Sequence, residues 1–164
     1  MPALTVGMGA PEIDLPSTKG TRFSLQHALQ QGPVLAVFFK ISCPVCQYTL
    51  PYLELIYRAY PRGKVTIVGI SQDEQNYTEE FAREYSITFP LLLDPVDRYP
   101  VSNAYEITNV PSIFLIEDGE VKLSIVGWDK RDMEAVNAKV AHAAGAPVQP
   151  LFRKDEDVPA SKAG

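Results

Sequence analysis

The chain reads as an α/β domain with a mixed central sheet flanked by helices. Three observations carry that reading. Val34 to Phe39 is an unbroken apolar run, the pattern of a strand buried on both faces. Extended and helical patterns alternate through the middle of the chain, as a sheet with crossover helices requires. Asp118-Gly119 lies between two apolar segments, a hairpin signal that adds antiparallel strands near the end.

Residues 1–10 lack periodicity. Ala10 to Leu15 and Thr21 to Leu25 read as two short extended segments around the turn Ser17 to Gly20. Ser24 suits the cap of a short helix bearing Leu25, Ala28 and Leu29 and ending near Gly32. After the Val34–Phe39 strand, a helix runs from Pro44 to about Tyr60. Val45, Tyr48, Tyr52, Ile56 and Tyr60 form one apolar row, and Leu50, Leu53 and Tyr57 a second. Apolar on two faces, this helix is wedged between layers. Pro51 lies inside it, where a proline kinks a helix.

Val65 to Ile70 is the next strand. Asn76 with Glu79 resembles a capping pair for a helix carrying Phe81, Ala82 and Tyr85. Leu91 to Leu93 is a short strand, and Val101, Ala104 and Tyr105 mark one or two helical turns. Ile113 to Ile116 and Val121 to Val126 flank the Asp118-Gly119 turn. Asp129 caps a last helix whose stripe is Met133, Val136, Val140 and Ala144, stopped at Gly145. We therefore expect one domain over residues 1–146. Residues 147–164, with Pro147, Pro150 and Pro159 among charged and small residues, read as an extended or disordered tail.

A chain of 164 residues, 46% hydrophobic and 21% charged, has room for one sizeable core. Its net charge of −5 supplies no basic field for nucleic acid or anionic membrane. No apolar run approaches the roughly 18 residues of a membrane span. Met1 to Val6 has neither a basic region nor an apolar core of a leader. The expected compartment is the cytoplasm, or the periplasm if a leader has been removed.

The chemistry-bearing stretch is Cys43-Pro44-Val45-Cys46, and these are the only two cysteines. They lie where the strand ends and the long helix starts, which is where open α/β sheets place their sites. The C-x-x-C spacing puts both sulfurs on the first helical turn. The unsatisfied N–H groups there favour the thiolate, the form that attacks disulfides and peroxides. Pro44 suits the first helical position, where its missing N–H costs nothing. The stretch by itself points to a dithiol cycling with a disulfide. The competing readings are two inert structural cysteines or half of a zinc site. Zinc needs about four ligands, and His27 and His142, the only histidines, are far along the chain on predicted polar faces.

At these residues the chain resembles the thioredoxin superfamily, and within it the TlpA/ResA-like thioredoxins and peroxiredoxins, with an AhpC/TSA-redoxin type domain. The matching pieces are Ala10-Pro11-Glu12-Ile13-Asp14-Leu15, Phe23-Ser24-Leu25, Val34 to Phe39, Cys43-Pro44-Val45-Cys46, Pro51, Ile67-Val68-Gly69-Ile70, Val110-Pro111-Ser112 and Ile113 to Gly119. Together they cover roughly residues 7 to 145. The resemblance implies a thioredoxin-like fold with an N-terminal β-hairpin and an inserted helix–strand unit. It also implies a cis bond at Pro111, with the Val110 backbone facing the cysteines and pairing with an extended substrate chain. A plain strand-edge proline is the alternative at Pro111. Ser42 stands where the family usually has Trp, and Val37 where many members carry a buried Asp or Asn.

What the resemblance implies about activity is a thiol–disulfide oxidoreductase with Cys43 attacking and Cys46 resolving. Ser42, Pro44, Val110 and Pro111 would contact substrate. Lys40 is either a cation that modulates a cysteine or a strand-end lysine reaching solvent. The partners would be a protein or small-molecule disulfide and a thiol reductant system, with no cofactor and no metal. The runner-up is a peroxiredoxin-like antioxidant peroxidase. In that family the reactive cysteine matches Cys46, a proline stands where Phe39 is, and an arginine stands where Pro111 is. A binding module on a redox fold is the third reading.

Overall fold

A computed structural model describes residues 3–164, so Met1 and Pro2, part of the leader reading, lie outside the described residues. Strand β1 (Asp14–Pro16) pairs antiparallel with β2 (Arg22–Ser24). This is the expected N-terminal hairpin. Ser17 Oγ bonds Thr21 Oγ1 at 2.7 Å across its turn, and Gly20 supplies the positive φ of 84°. Helix α1 (Leu25–Ala28) starts at Ser24, whose Oγ accepts from the His27 N–H. Then come β3 (Val34–Phe39), α2 (Pro44–Ala59), β4 (Thr66–Ser71), α3 (Gln75–Tyr85), β5 (Leu91–Leu93) and α4 (Pro100–Ala104). The chain continues with β6 (Ser112–Glu117), β7 (Glu120–Val126), β8 (Trp128–Asp129), α5 (Lys130–Ala143) and β9 (Ser161–Lys162).

The main sheet has the order β5-β4-β3-β6-β7. Strands β3, β4 and β5 are parallel, while β6 and β7 are antiparallel to their neighbours. Strand β3 is central and buried throughout, which explains why its sequence does not alternate. Leu35, Val37 and Phe39 face one core with α2, α3 and α5. Val34, Ala36 and Phe38 face the other, with the N-terminal hairpin, α1 and α4. The β6–β7 turn places Asp118 and Gly119 at φ 55° and 79°, the two positive values that a tight hairpin demands. Among the described residues no helix is long and apolar enough to cross a membrane.

One local expectation changes. Asn76 does not cap α3. The helix starts two residues earlier, at Gln75 behind Glu74, with no side-chain cap bond. Asn76 is already the second helical residue, and Glu79 accepts from Gln75 Nε2 at 2.8 Å instead. The segment 147–164 is extended, as its prolines require. It crosses α2 and ends beside β8. Leu151, Phe152 and Val158 pack against the core, Asn137 Nδ2 donates to Gln149 O at 2.7 Å, and Tyr52 Oη donates to Glu156. Trp128 Nε1 donates to Pro159 O at 2.8 Å, and β9 pairs with β8. Tyr48 and Tyr52, the outer row of α2, are thereby covered by Trp128 and Phe152.

Candidate active site

Strand β3 delivers the chain to the end of the sheet, and the loop Lys40–Ser42 turns it into α2. That loop is pinned from several sides. The Ile41 N–H donates to Asp73 Oδ2 at 2.8 Å, Gln47 Nε2 donates to Ile41 O at 2.8 Å, and the Cys43 N–H donates to Lys40 O at 3.3 Å. Cys43 is the N-cap residue of α2, and Pro44 takes the first helical position. The Cys43 sulfur accepts from the Cys46 N–H at 3.2 Å, so an orphan donor of the helix end points at that sulfur. Both cysteines are free thiols.

The two sulfurs sit in different environments. Cys43 is half-buried between the exposed side chains of Ser42 and Pro44. Cys46 is fully buried in the cluster that holds Val37 and Leu50. Burial, first, and then the hydrogen bond with Cys43 push the Cys46 thiol far above its ordinary range. The negative charges of Cys43 and Asp73 act in the same direction, and only a bond with the Lys40 backbone opposes them. Val37 contributes to the apolar wall where a polar side chain would have eased ionisation.

Opposite the helix end, the Val110–Pro111 peptide is cis. The Cys43 thiol donates to Val110 O at 3.5 Å. The loop is held by Ser112 Oγ, which donates to Asn109 O at 2.7 Å, and by the Gly127 N–H, which donates to Pro111 O at 2.8 Å. Val110 is half-buried and Pro111 buried. Among the described residues the Val110 N–H has no hydrogen-bond partner. Lys40 is exposed, and it lines a cavity of about 230 Å³ with Gln72, Ser102, Asn109 and Val110. The structure thus brings Ser42, Cys43, Pro44, Cys46, Val110 and Pro111 to one place, with Lys40 at its margin. Sequence reasoning did not single out Asn109, which anchors the far end of the chain. Gln72, Asp73 and Glu74 follow a strand end near the site, where the sequence favours a solvated loop over a functional one, and Asp73 fixes the Lys40–Ser42 loop.

Residues 6–124 match the AhpC/TSA family. The chain belongs to that family. The thiol–disulfide oxidoreductase ResA of Geobacillus kaustophilus (strain HTA426) is 34% identical over 135 residues, covering 80% of this chain and 76% of the relative. Among solved structures, the thioredoxin domain of a thiol–disulfide oxidoreductase from Bacteroides vulgatus superposes with a TM-score of 0.73 at 26% identity. That match covers 84% of this chain and 98% of the domain. StoA from Bacillus subtilis shares the fold, with a TM-score of 0.62 at 24% identity over 77% of this chain and 91% of StoA. This AhpC/TSA-family chain is a TlpA/ResA-like member with a thioredoxin-like fold, and it is a thiol–disulfide oxidoreductase.

Proposed function

We propose that the protein exchanges thiols with a substrate disulfide through an attacking Cys43 and a resolving Cys46. The observation that carries this assignment is the difference in burial between two sulfurs one helical turn apart. The Cys43 thiolate attacks one sulfur of the substrate. A Cys43–substrate disulfide forms, the substrate S–S bond breaks, and the departing substrate sulfur takes up a proton. Cys46 then attacks Cys43 Sγ. The Cys43–Cys46 disulfide forms, the second substrate thiol leaves, and two electrons have moved from the dithiol to the substrate. Cys46 lies with Val37 in one apolar cluster, so the proton that the first departing substrate thiolate takes up is the Cys46 proton, and the second thiolate is protonated by solvent. A thiol reductant restores the dithiol.

Substrate docks between the Ser42–Pro44 rim and the Val110–Pro111 loop. The unpartnered Val110 N–H supports that placement, since an extended chain laid along the loop would satisfy it. Lys40 contributes through its carbonyl to the Cys43 N–H, and its side chain reaches solvent beside the docking loop. The peroxidase reading would make Cys46 the first sulfur to oxidise. Its full burial and raised pKa oppose that.

The test is limiting iodoacetamide on the reduced protein at mildly acidic pH, with the labelled site mapped by mass spectrometry. Cys43 should be labelled first. Cys46→Ser should accumulate mixed disulfides through Cys43, and Cys43→Ser should lose insulin-disulfide reduction. First labelling at Cys46, with peroxide consumption surviving in Cys43→Ser, would instead establish the peroxidase.

A further inference from the structure

The docking edge beside Val110 is not empty. Residues 160–164 run antiparallel to the segment Gly127–Lys130 and end against the Val110 carbonyl. The Lys130 N–H donates to Ala160 O at 2.8 Å, Asp129 faces Ser161 and Trp128 faces Lys162. Lys162 Nζ lies 5.2 Å from the centre of the Tyr48 ring. Asn109 Nδ2 donates to Gly164 O at 3.2 Å. Two glycines make the approach close. A Cβ at Gly127 would stand 2.7 Å from Lys162 O, and a Cβ at Gly164 would overlap the Val110 carbonyl oxygen. Val110 O is also the acceptor of the Cys43 thiol. The strand therefore finishes on the peptide group that faces the attacking sulfur.

We propose that residues 160–164 are a strap lying on the edge where an extended substrate chain would dock. This rests on the docking role proposed above for Val110. With the strap down, a small-molecule disulfide reaches Cys43 between Ser42 and Pro44. A protein disulfide needs room for its flanking backbone, because an extended chain binds by adding itself to an exposed edge. The end of the strap stands against the Val110 carbonyl at one side of that position and leaves the N–H open, so the flanking backbone of a protein disulfide is admitted only when the strap lifts. The resting protein is selective for small disulfides.

Two variants test this. A chain ending at Pro159 removes the strap and keeps the Pro159 carbonyl that holds Trp128. Gly164→Val keeps every residue of the strap and forces residue 164 off Val110. The first readout is kcat/KM for insulin relative to bis(2-hydroxyethyl) disulfide, with dithiothreitol as reductant. Both variants should raise that ratio about tenfold, the gain when a competent state populated at roughly one-tenth becomes the only state. The second readout needs no turnover. The rate of Cys43 alkylation by a maleimide carried on an extended peptide should rise by a similar factor, while the rate with iodoacetamide stays within about twofold. Ratios and alkylation contrast unchanged in both variants would overturn the strap. A ratio that falls would show instead that these residues help to bind protein substrates, and would equally overturn it. An alkylation contrast that appears while neither disulfide is reduced by any chain would support the strap and sink the oxidoreductase mechanism.

Discussion

Cys46 shows how a single side chain couples redox chemistry to stability. Its thiol is pushed far above the ordinary 9.0 by burial. The sign of the linkage follows from proton binding. Above about pH 9 the unfolded chain loses the Cys46 proton and the folded chain keeps it, so unfolding is favoured as pH rises. The stabilisation is fully present below the unfolded pKa and is lost above it. For the reduced protein, unfolding free energy should decline from about pH 8.5 upward, the slope approaching about 1.4 kcal/mol per pH unit. Cys46→Ala should flatten that slope in urea titrations between pH 8 and 9, below the range in which Tyr52 and Tyr105, raised in the folded chain, begin to ionise in the unfolded chain. An unchanged slope in the variant would show that Cys46 is not the group responsible. Glu54 is a second instance of a polar group decided by its surroundings. It is buried on α2 and accepts from the Thr88 N–H at 2.7 Å, the Phe89 N–H at 3.2 Å and Arg58 Nε at 2.6 Å. Glu54→Ala would orphan two backbone donors just before β5, and should cost about 2–4 kcal/mol in the urea midpoint analysis. Arg58→Ala should cost less than about 1 kcal/mol, because half of that side chain is already in water.

At the scale of elements, the parts legible in the sequence are those whose causes are local. Val34–Phe39 could be assigned from its apolar run, and Asp118-Gly119 from its turn chemistry. Asp129 is the same kind of signal: its Oδ1 accepts from the Asp132 N–H at 2.9 Å at the start of α5. Asp129→Ala should cost about 1 kcal/mol, measured by thermal or denaturant unfolding. The cysteine pair was equally legible, because strand end, helix start and Pro44 are contiguous. The start of α3 was not, since Glu79 has a competing partner in Gln75 that pattern matching does not weigh. Strands β8 and β9 were not legible either. Each is two residues long, and they are separated by all of α5 and the crossing segment. No periodicity exists in two residues, and the pairing is a tertiary fact. The proposed docking loop lies between these extremes. Val110-Pro111 was found by resemblance, whereas Asn109 beside it gained significance only when Gly164 was seen to reach it.

Across the whole molecule, the crossing segment 147–164 explains how a proline-rich, charged stretch is ordered without a core of its own. Its apolar residues are few, but each meets an aromatic already on the domain. Phe152 lies 5.2 Å from Tyr52 and 5.9 Å from Trp128, ring centre to ring centre. Trp128 is the only tryptophan in the chain, is buried at 1% exposure and is tied to Pro159, so its emission reports the segment directly. Phe152→Ala should red-shift that emission and lower stability by about 1–3 kcal/mol, the transfer value of a partly buried aromatic. The order of opening follows from the distribution of partners. Strand β3 is bonded on both edges and buried on both faces, so its amides exchange only through global unfolding. The β8–β9 pair has two residues in each strand, and β9 is exposed, so it should open locally at much lower free energy. In native-state hydrogen exchange, the Lys130 N–H, bonded to Ala160 O, should exchange well ahead of β3 amides such as Val37. Its protection should show little dependence on low urea, as local fluctuations do. If it exchanges together with Val37, residues 160–164 are part of the cooperative fold and cannot lift independently of global unfolding.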